Sequence, residues 1–198
     1  MEIKEIRQLF FAKEWRAIVA NFTDSELCEL LTFEEAVQLS YALFHKNMFD
    51  DAIQLYALNL AKMIKQRFKA EWDRDWKLDV FLGNMCEFAG LHQEQYSCYK
   101  RAYDKLQDPP DSLLLLLAGC INSDTPLMTE AESADYLQRA LDKKFTYEAA
   151  VMMRQYFQIK ANKLEVEYWN VLCDDLEKNN VYVDVIIPDA IHEQIISS

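Results

Sequence analysis

The stretch NMFDDAIQLY (residues 47–56) decides how the rest of the chain is read. Asn47 is a turn former that follows an apolar-periodic stretch. Phe49 is an aromatic suited to pack back over that turn. Ala52, three positions on, lets two helices approach closely, and Tyr56, four further, fills the groove outside them. Seven residues before the turn stands Ser40, preceded by Leu39, a small residue beside a large one as a close crossing requires. The ten residues read as the elbow of a two-helix hairpin.

Working outward, apolar residues recur at steps of three and four on both sides of the elbow. Ala36, Leu39, Leu43 and Phe44 form one stripe; Ile53, Tyr56, Leu60 and either Met63 or Ile64 form the other. That period continues to about residue 178 and predicts amphipathic helices. Helix starts are marked where a threonine is followed three residues later by glutamate: Thr23 with Glu26, Thr32 with Glu35 and Thr129 with Glu132. In such a box the hydroxyl and the carboxylate satisfy amides that have no partner inside the helix. Breaks fall at QDPPDS, NSDTPLM and IIPDA. With only 3 glycines and 4 prolines in 198 residues, an all-β fold or a glycine-rich nucleotide loop lacks its turn residues. The expectation is an all-α protein, with one uninterrupted helical domain over residues 1–180 and a tail over residues 181–198.

Charge and cysteine usage narrow the partners. A net charge of −12 repels a nucleic-acid backbone or an anionic membrane. Five scattered cysteines (Cys28, Cys86, Cys98, Cys120, Cys173) lie inside apolar stretches and read as buried thiols of a reducing compartment. MEIKEIRQLFF lacks the pattern of a signal peptide. The apolar run Leu113–Ile121 has about half the length a bilayer span needs. The expected location is cytoplasmic, without membrane insertion.

The hairpin template recurs. In VFLGNMCEFAGLHQEQYSCYKRA it supplies Leu82 and Gly83, then Gly90, Tyr99 and Ala102, with Gln95 where a small residue belongs. A third copy has Ala118 and Gly119 before the turn and Leu137 and Ala140 after it. Turn-following positions at Trp15, Phe49, His92, Glu130 and Leu164 are spaced by 34, 43, 38 and 34 residues. This resembles the tetratricopeptide repeat (TPR) family, whose unit is two antiparallel helices with a period of about 34 residues. The resemblance implies a right-handed superhelical array of about five hairpins that binds a peptide or partner segment and acts as a scaffold or adaptor. With FLG at 81–83, DPP at 108–110, LLAGC at 116–120 and TEAES at 129–133, residues 81–140 also resemble, more loosely, the TPR-type chaperones of type III secretion translocators. That resemblance implies, as the alternative, a cytoplasmic chaperone of hydrophobic secreted proteins.

Little in the sequence points to catalysis. His45, His92 and His192 have no carboxylate or cysteine at metal-ligand spacing, and no cofactor fingerprint is present. His92 and Cys98, six apart, lack a glycine loop for an oxyanion hole. A hydrolase using that pair or the acids of DRD and CDD is a remote alternative. The expectation is a non-enzymatic protein with no cofactor and no metal.

Binding residues follow from the resemblance, which places the first helix of each hairpin along a concave groove. The groove would be lined by Val37, Tyr41, Phe44 and His45, then by Val80, Asn84, Glu87 and Phe88, and then by Leu116 and Cys120. Such a lining suits hydrophobic anchors on a peptide. Asn84 and Lys77 match residue types of a clamp for acidic tails, but Val37 and Val80 occupy its lysine positions, so a clamp is not expected. A basic island at residues 62–77 offers Lys65, Lys69, Trp72, Arg74 and Trp76 as a second contact surface, or else as side-chain stems lying over the core. In VYVDVIIPDAIHEQIISS, Val181, Val183, Val185 and Ile187 alternate as in a strand, and Pro188 is placed to open a short helix. Such a tail either caps the last hairpin or pairs with a second chain as a homodimer.

Overall fold

The computed structural model describes residues 3–47, 49–122 and 127–191. Among these the chain is all-helical, with twelve α-helices packed largely as sequence neighbours and no strand. It divides into two compact units: the chain up to Leu91 together with the segment from Ile187, and residues His92–Ile186.

The first unit contains α1 (Ile3–Phe11), α2 (Trp15–Asn21), α3 (Asp24–Leu30), α4 (Phe33–Lys46), α5 (Asp51–Arg67), α6 (Lys69–Trp72) and α7 (Trp76–Phe88). Thr23 and Thr32 form complete capping boxes with Glu26 and Glu35, and Asp50 and Asp75 cap α5 and α7. Helix α5 is the centre of the unit, packed against α2, α3, α4, α6 and α7. At its crossing with α4, the fully buried Ser40 donates its hydroxyl to the carbonyl of Ala57 at 3.0 Å.

Contact on several sides corrects the register expected along α5. Ala57 and Ala61, both fully buried, occupy the close approach, whereas Ala52 is exposed. Phe49 stands fully in solvent and does not fold back over the turn. Gln54 is buried and donates to the Phe44 carbonyl at 3.3 Å. Tyr56 is half-buried and reaches the Phe22 carbonyl at 2.7 Å. A helix with neighbours on several faces has no single apolar stripe from which its facing can be read.

The second unit contains α8 (His92–Asp104), α9 (Asp111–Gly119), a 3₁₀ turn (Cys120–Asn122), α10 (Glu130–Lys143), α11 (Tyr147–Ile159) and α12 (Lys163–Lys178). Its main contacts are the neighbouring pairs α9 with α10 and α11 with α12. The division between units falls inside the second expected hairpin, so α7 and α8 belong to different units. The third expected hairpin forms with Ala118, Leu137 and Ala140 buried at the crossing, and Ser133 donates to the Ala118 carbonyl at 3.0 Å. Thr129 and Glu132 make the third capping box. A second cluster joins Ala150, Trp169, Cys173 and Leu176 between α11 and α12.

Residues 181–186 run across the start of α11. The Val181 carbonyl accepts the amide of Tyr147 at 2.8 Å, and the Val183 amide donates to Glu148 at 3.0 Å. The first amides of a helix have no partner within it, and here the extended segment supplies one. Val183 packs against the α9/α10 core, while Val185 points outward, so the expected alternation breaks there and no strand forms. Residues 187–191, in the first unit, carry a turn in which the Ile191 amide donates to the Pro188 carbonyl at 3.0 Å. Residues 192–198, including His192 and most of the short helix expected after Pro188, lie outside the described residues.

Candidate interaction surface

Helices α4 and α7 present the residues expected to line a groove. Tyr41 and Phe44 of α4 meet Phe81 of α7 with ring centroids at 5.2 and 6.3 Å, and Phe44 meets Phe88 at 5.9 Å. His45 completes the group, 4.2 Å from Tyr41 and stacked over Phe81 at 6.2 Å. Phe44 and Phe81 form the floor; Tyr41 is half-buried, and His45 and Phe88 are exposed, Phe88 at 50%. Partial loss of hydration among the neighbouring rings, reinforced by the Lys46 ammonium, lowers the pKa of the His45 imidazole below its ordinary value although the residue keeps access to solvent. Burial raises that of the Tyr41 phenol.

The other expected groove residues divide differently. Val37 and Val80 are fully buried and belong to the core, Asn84 is half-buried, and Glu87 is exposed. The residue missed in the sequence is Phe81. It stands seven before Phe88 and therefore on the same helical face, and that spacing was the available signal.

The basic island does not assemble as one surface. Trp72 is fully buried, and its indole N–H donates to Asp79 at 3.2 Å. Lys65 reaches the same buried carboxylate at 2.6 Å. Lys69 pairs with Asp73 at 2.8 Å, Arg74 is exposed and Trp76 half-buried. Lys65 and Trp72 are thus occupied in holding α5, α6 and α7 together.

In the second unit an open, mostly apolar cavity of about 800 Å³ lies among α9, α10 and α11, walled by Leu127, Met128, Leu137, Met152, Tyr156 and Ile159. The ion pair Lys160–Glu130, at 2.5 Å, borders it. On the α9 side its wall is Ala118 and Ile121. Leu116 and Cys120, the residues expected there, are half-buried and buried, and the Cys120 thiol donates to the Leu116 carbonyl at 3.4 Å.

The chemistry-bearing side chains have structural partners. His92 shares a hydrogen bond with Gln95 at 3.3 Å, and Arg101 donates to the buried Cys98 sulfur at 3.0 Å. All five cysteines are buried thiols, none of them in a disulfide. Burial pushes the Cys28 thiol up to about 11, and also raises Cys173, away from the thiolate a nucleophile needs. Among the described residues no group of three His, Cys, Asp or Glu is disposed to hold a metal, and no helix is long and apolar enough to cross a membrane. Compared with protein-family models, with curated proteins and with solved structures, the chain gives no match in any of the three.

Proposed function

We propose that this protein is a non-catalytic interaction module whose α4/α7 face takes a peptide or partner segment through apolar anchors, as part of a scaffold or adaptor. The supporting observation is the five-ring group of Tyr41, Phe44, His45, Phe81 and Phe88, which keeps Phe88 half exposed above a buried aromatic floor. Aromatic side chains offer large contact area with few rotors to freeze, which is why they dominate binding hot spots. The TPR resemblance, in this reading, rests on the paired helices and the Ser40–Ala57 crossing, since Phe49 and Ala52 do not occupy their template environments.

The test is selection of a displayed random-peptide library on the purified full chain. Enriched peptides should carry aromatic or aliphatic anchors. Phe88→Ala should weaken them by about 1–4 kcal/mol, as hot-spot truncation does, with little change on raising salt. Enriched peptides that bind Phe88→Ala and Tyr41→Ala as tightly as the parent would overturn the reading.

A second reading, a chaperone that shields an apolar client segment, is favoured by the apolar cavity of the second unit. It requires the same library to map instead to Met152 and Ile159.

A further inference from the structure

The segment Pro188–Ile191 is seated on the first unit much as a bound peptide would be. The Asp189 amide donates to Asp75 at 2.7 Å, and its carboxylate meets Lys77 at 2.5 Å. The Ala190 carbonyl accepts from Gln38 at 2.9 Å. Pro188 and Ile191 are buried at either end of the turn. Two main-chain contacts fix the path of the segment, one charge selects an acid, and two apolar side chains are enclosed.

These anchors stand on α4 and α7, the helices that carry the aromatic group. Gln38 lies one turn before Tyr41, and Lys77 one turn before Phe81, so both precede the aromatic residues on their helices. Tyr41 meets Phe81 and Phe44 meets Phe88, a pairing that runs in the same direction along both helices. The seated turn and the open aromatic patch are therefore successive parts of one helix-pair face.

We infer that this end of the α4/α7 face is a recognition site for a peptide turn of the form Pro-acid-x-aliphatic, and that residues 188–191 occupy it in place of a partner carrying that turn. The inference deepens the interaction-module reading and rests on it. Although the chain is acidic overall, Lys77 presents a cation to this one position. The polar contacts are suited to exchange: the Lys77–Asp189 pair has its carboxylate 72% exposed, and exposed ion pairs hold weakly. Opening the segment uncovers Pro188 and Ile191, and a competing turn with apolar side chains at the same two positions covers that surface again.

The experiment uses the full chain and a fluorescein-labelled peptide of residues 186–194 (IIPDAIHEQ), with binding read by anisotropy. The parent protein binds weakly because its own segment competes at high effective concentration. Asp189→Lys repels that segment from Lys77 and leaves the receiving residues intact, so it should bind the peptide at least about tenfold more tightly. Adding Lys77→Glu to that variant should abolish the gain. A peptide with lysine in place of its aspartate should then bind Lys77→Glu better than the native peptide does. Gln38→Ala should weaken peptide binding to the Asp189→Lys protein without touching the charge pair.

The inference is overturned if Asp189→Lys binds no more tightly than the parent, or if Lys77→Glu makes no difference. It is also overturned if the parent forms a concentration-dependent dimer that Asp189→Lys dissolves, because the occupant would then be a second copy. Loss of this binding while library-selected peptides still depend on Phe88 defeats the inference alone; independence of selected peptides from Phe88 and Tyr41 defeats the broader reading.

Discussion

Ser40 donates its hydroxyl to the backbone carbonyl of Ala57 at 3.0 Å, and both residues are fully buried where α4 crosses α5. Ala57 therefore has no room for a longer side chain. Ala57→Leu should destabilise by about 1–3 kcal/mol, the usual cost of overpacking. Ala52→Leu, on the exposed face, should stay within about 0.5 kcal/mol. Denaturant melts of the two variants decide the register, and the reverse order would restore the crossing at Ala52.

Asp79 is 1% exposed and is held by Lys65 and by the Trp72 indole. Removing one partner of a buried pair strands the other charge. Lys65→Met should cost about 3 kcal/mol, the lower end of the range for such breaks because the lysine retains some access to water. The double variant Lys65→Met, Asp79→Leu should recover most of that loss. If the double variant is as unstable as the sum of the singles, the charge is not the cause.

The His45 imidazole has its pKa lowered by partial desolvation among the neighbouring rings and by Lys46. For a base with a depressed folded pKa, the unfolded chain takes up its proton first as pH falls. The contribution to stability is thus complete above the ordinary value of 6.5 and is lost as pH falls through the lower folded value. Melting temperature should drop more between about pH 7 and pH 5 for the parent than for His45→Phe. Equal drops would show that His45 is not linked to folding.

Helix α11 ends on Ala161, whose φ of +55° lies in the left-handed region that favours glycine. The amide of Asn162 reaches the Phe157 carbonyl at 3.0 Å and that of Ala161 reaches Gln158 at 3.0 Å, the paired bonds of a Schellman cap. Ala161→Gly should relieve the clash of the alanine Cβ and stabilise the protein by about 1 kcal/mol. Calorimetric melts showing destabilisation would contradict that conformation.

Legibility in the sequence followed the range of the forces involved. The three capping boxes lie within four residues each and were readable as text. Left-handed caps were not: α1, α7, α11 and α12 end through Lys13, Gly90, Ala161 and Asn180, and only the glycine and the asparagine carry a residue-type signal. Facing along α5 depends on neighbours that meet several of its sides, so the hairpin spacing misplaced Ala52. In the candidate site, Tyr41, Phe44, His45 and Phe88 were named through the TPR resemblance, whereas Phe81 was hidden by assigning the groove to its neighbour Val80, which is core. The alternation of Val181 and Val183 correctly separates two faces of the segment. Alternation does not specify what supplies the hydrogen bonds, and here the donors and acceptors belong to a helix start.

The most direct test of the central claim is amide chemical-shift mapping of a library-selected peptide on the isotope-labelled full chain. Shifts should concentrate at Tyr41, His45, Phe81 and Phe88, with Gln38 and Lys77 joining them when the peptide carries the Pro-acid-x-aliphatic turn. Shifts confined to Met152, Tyr156 and Ile159, with the α4/α7 face unmoved, would contradict that claim.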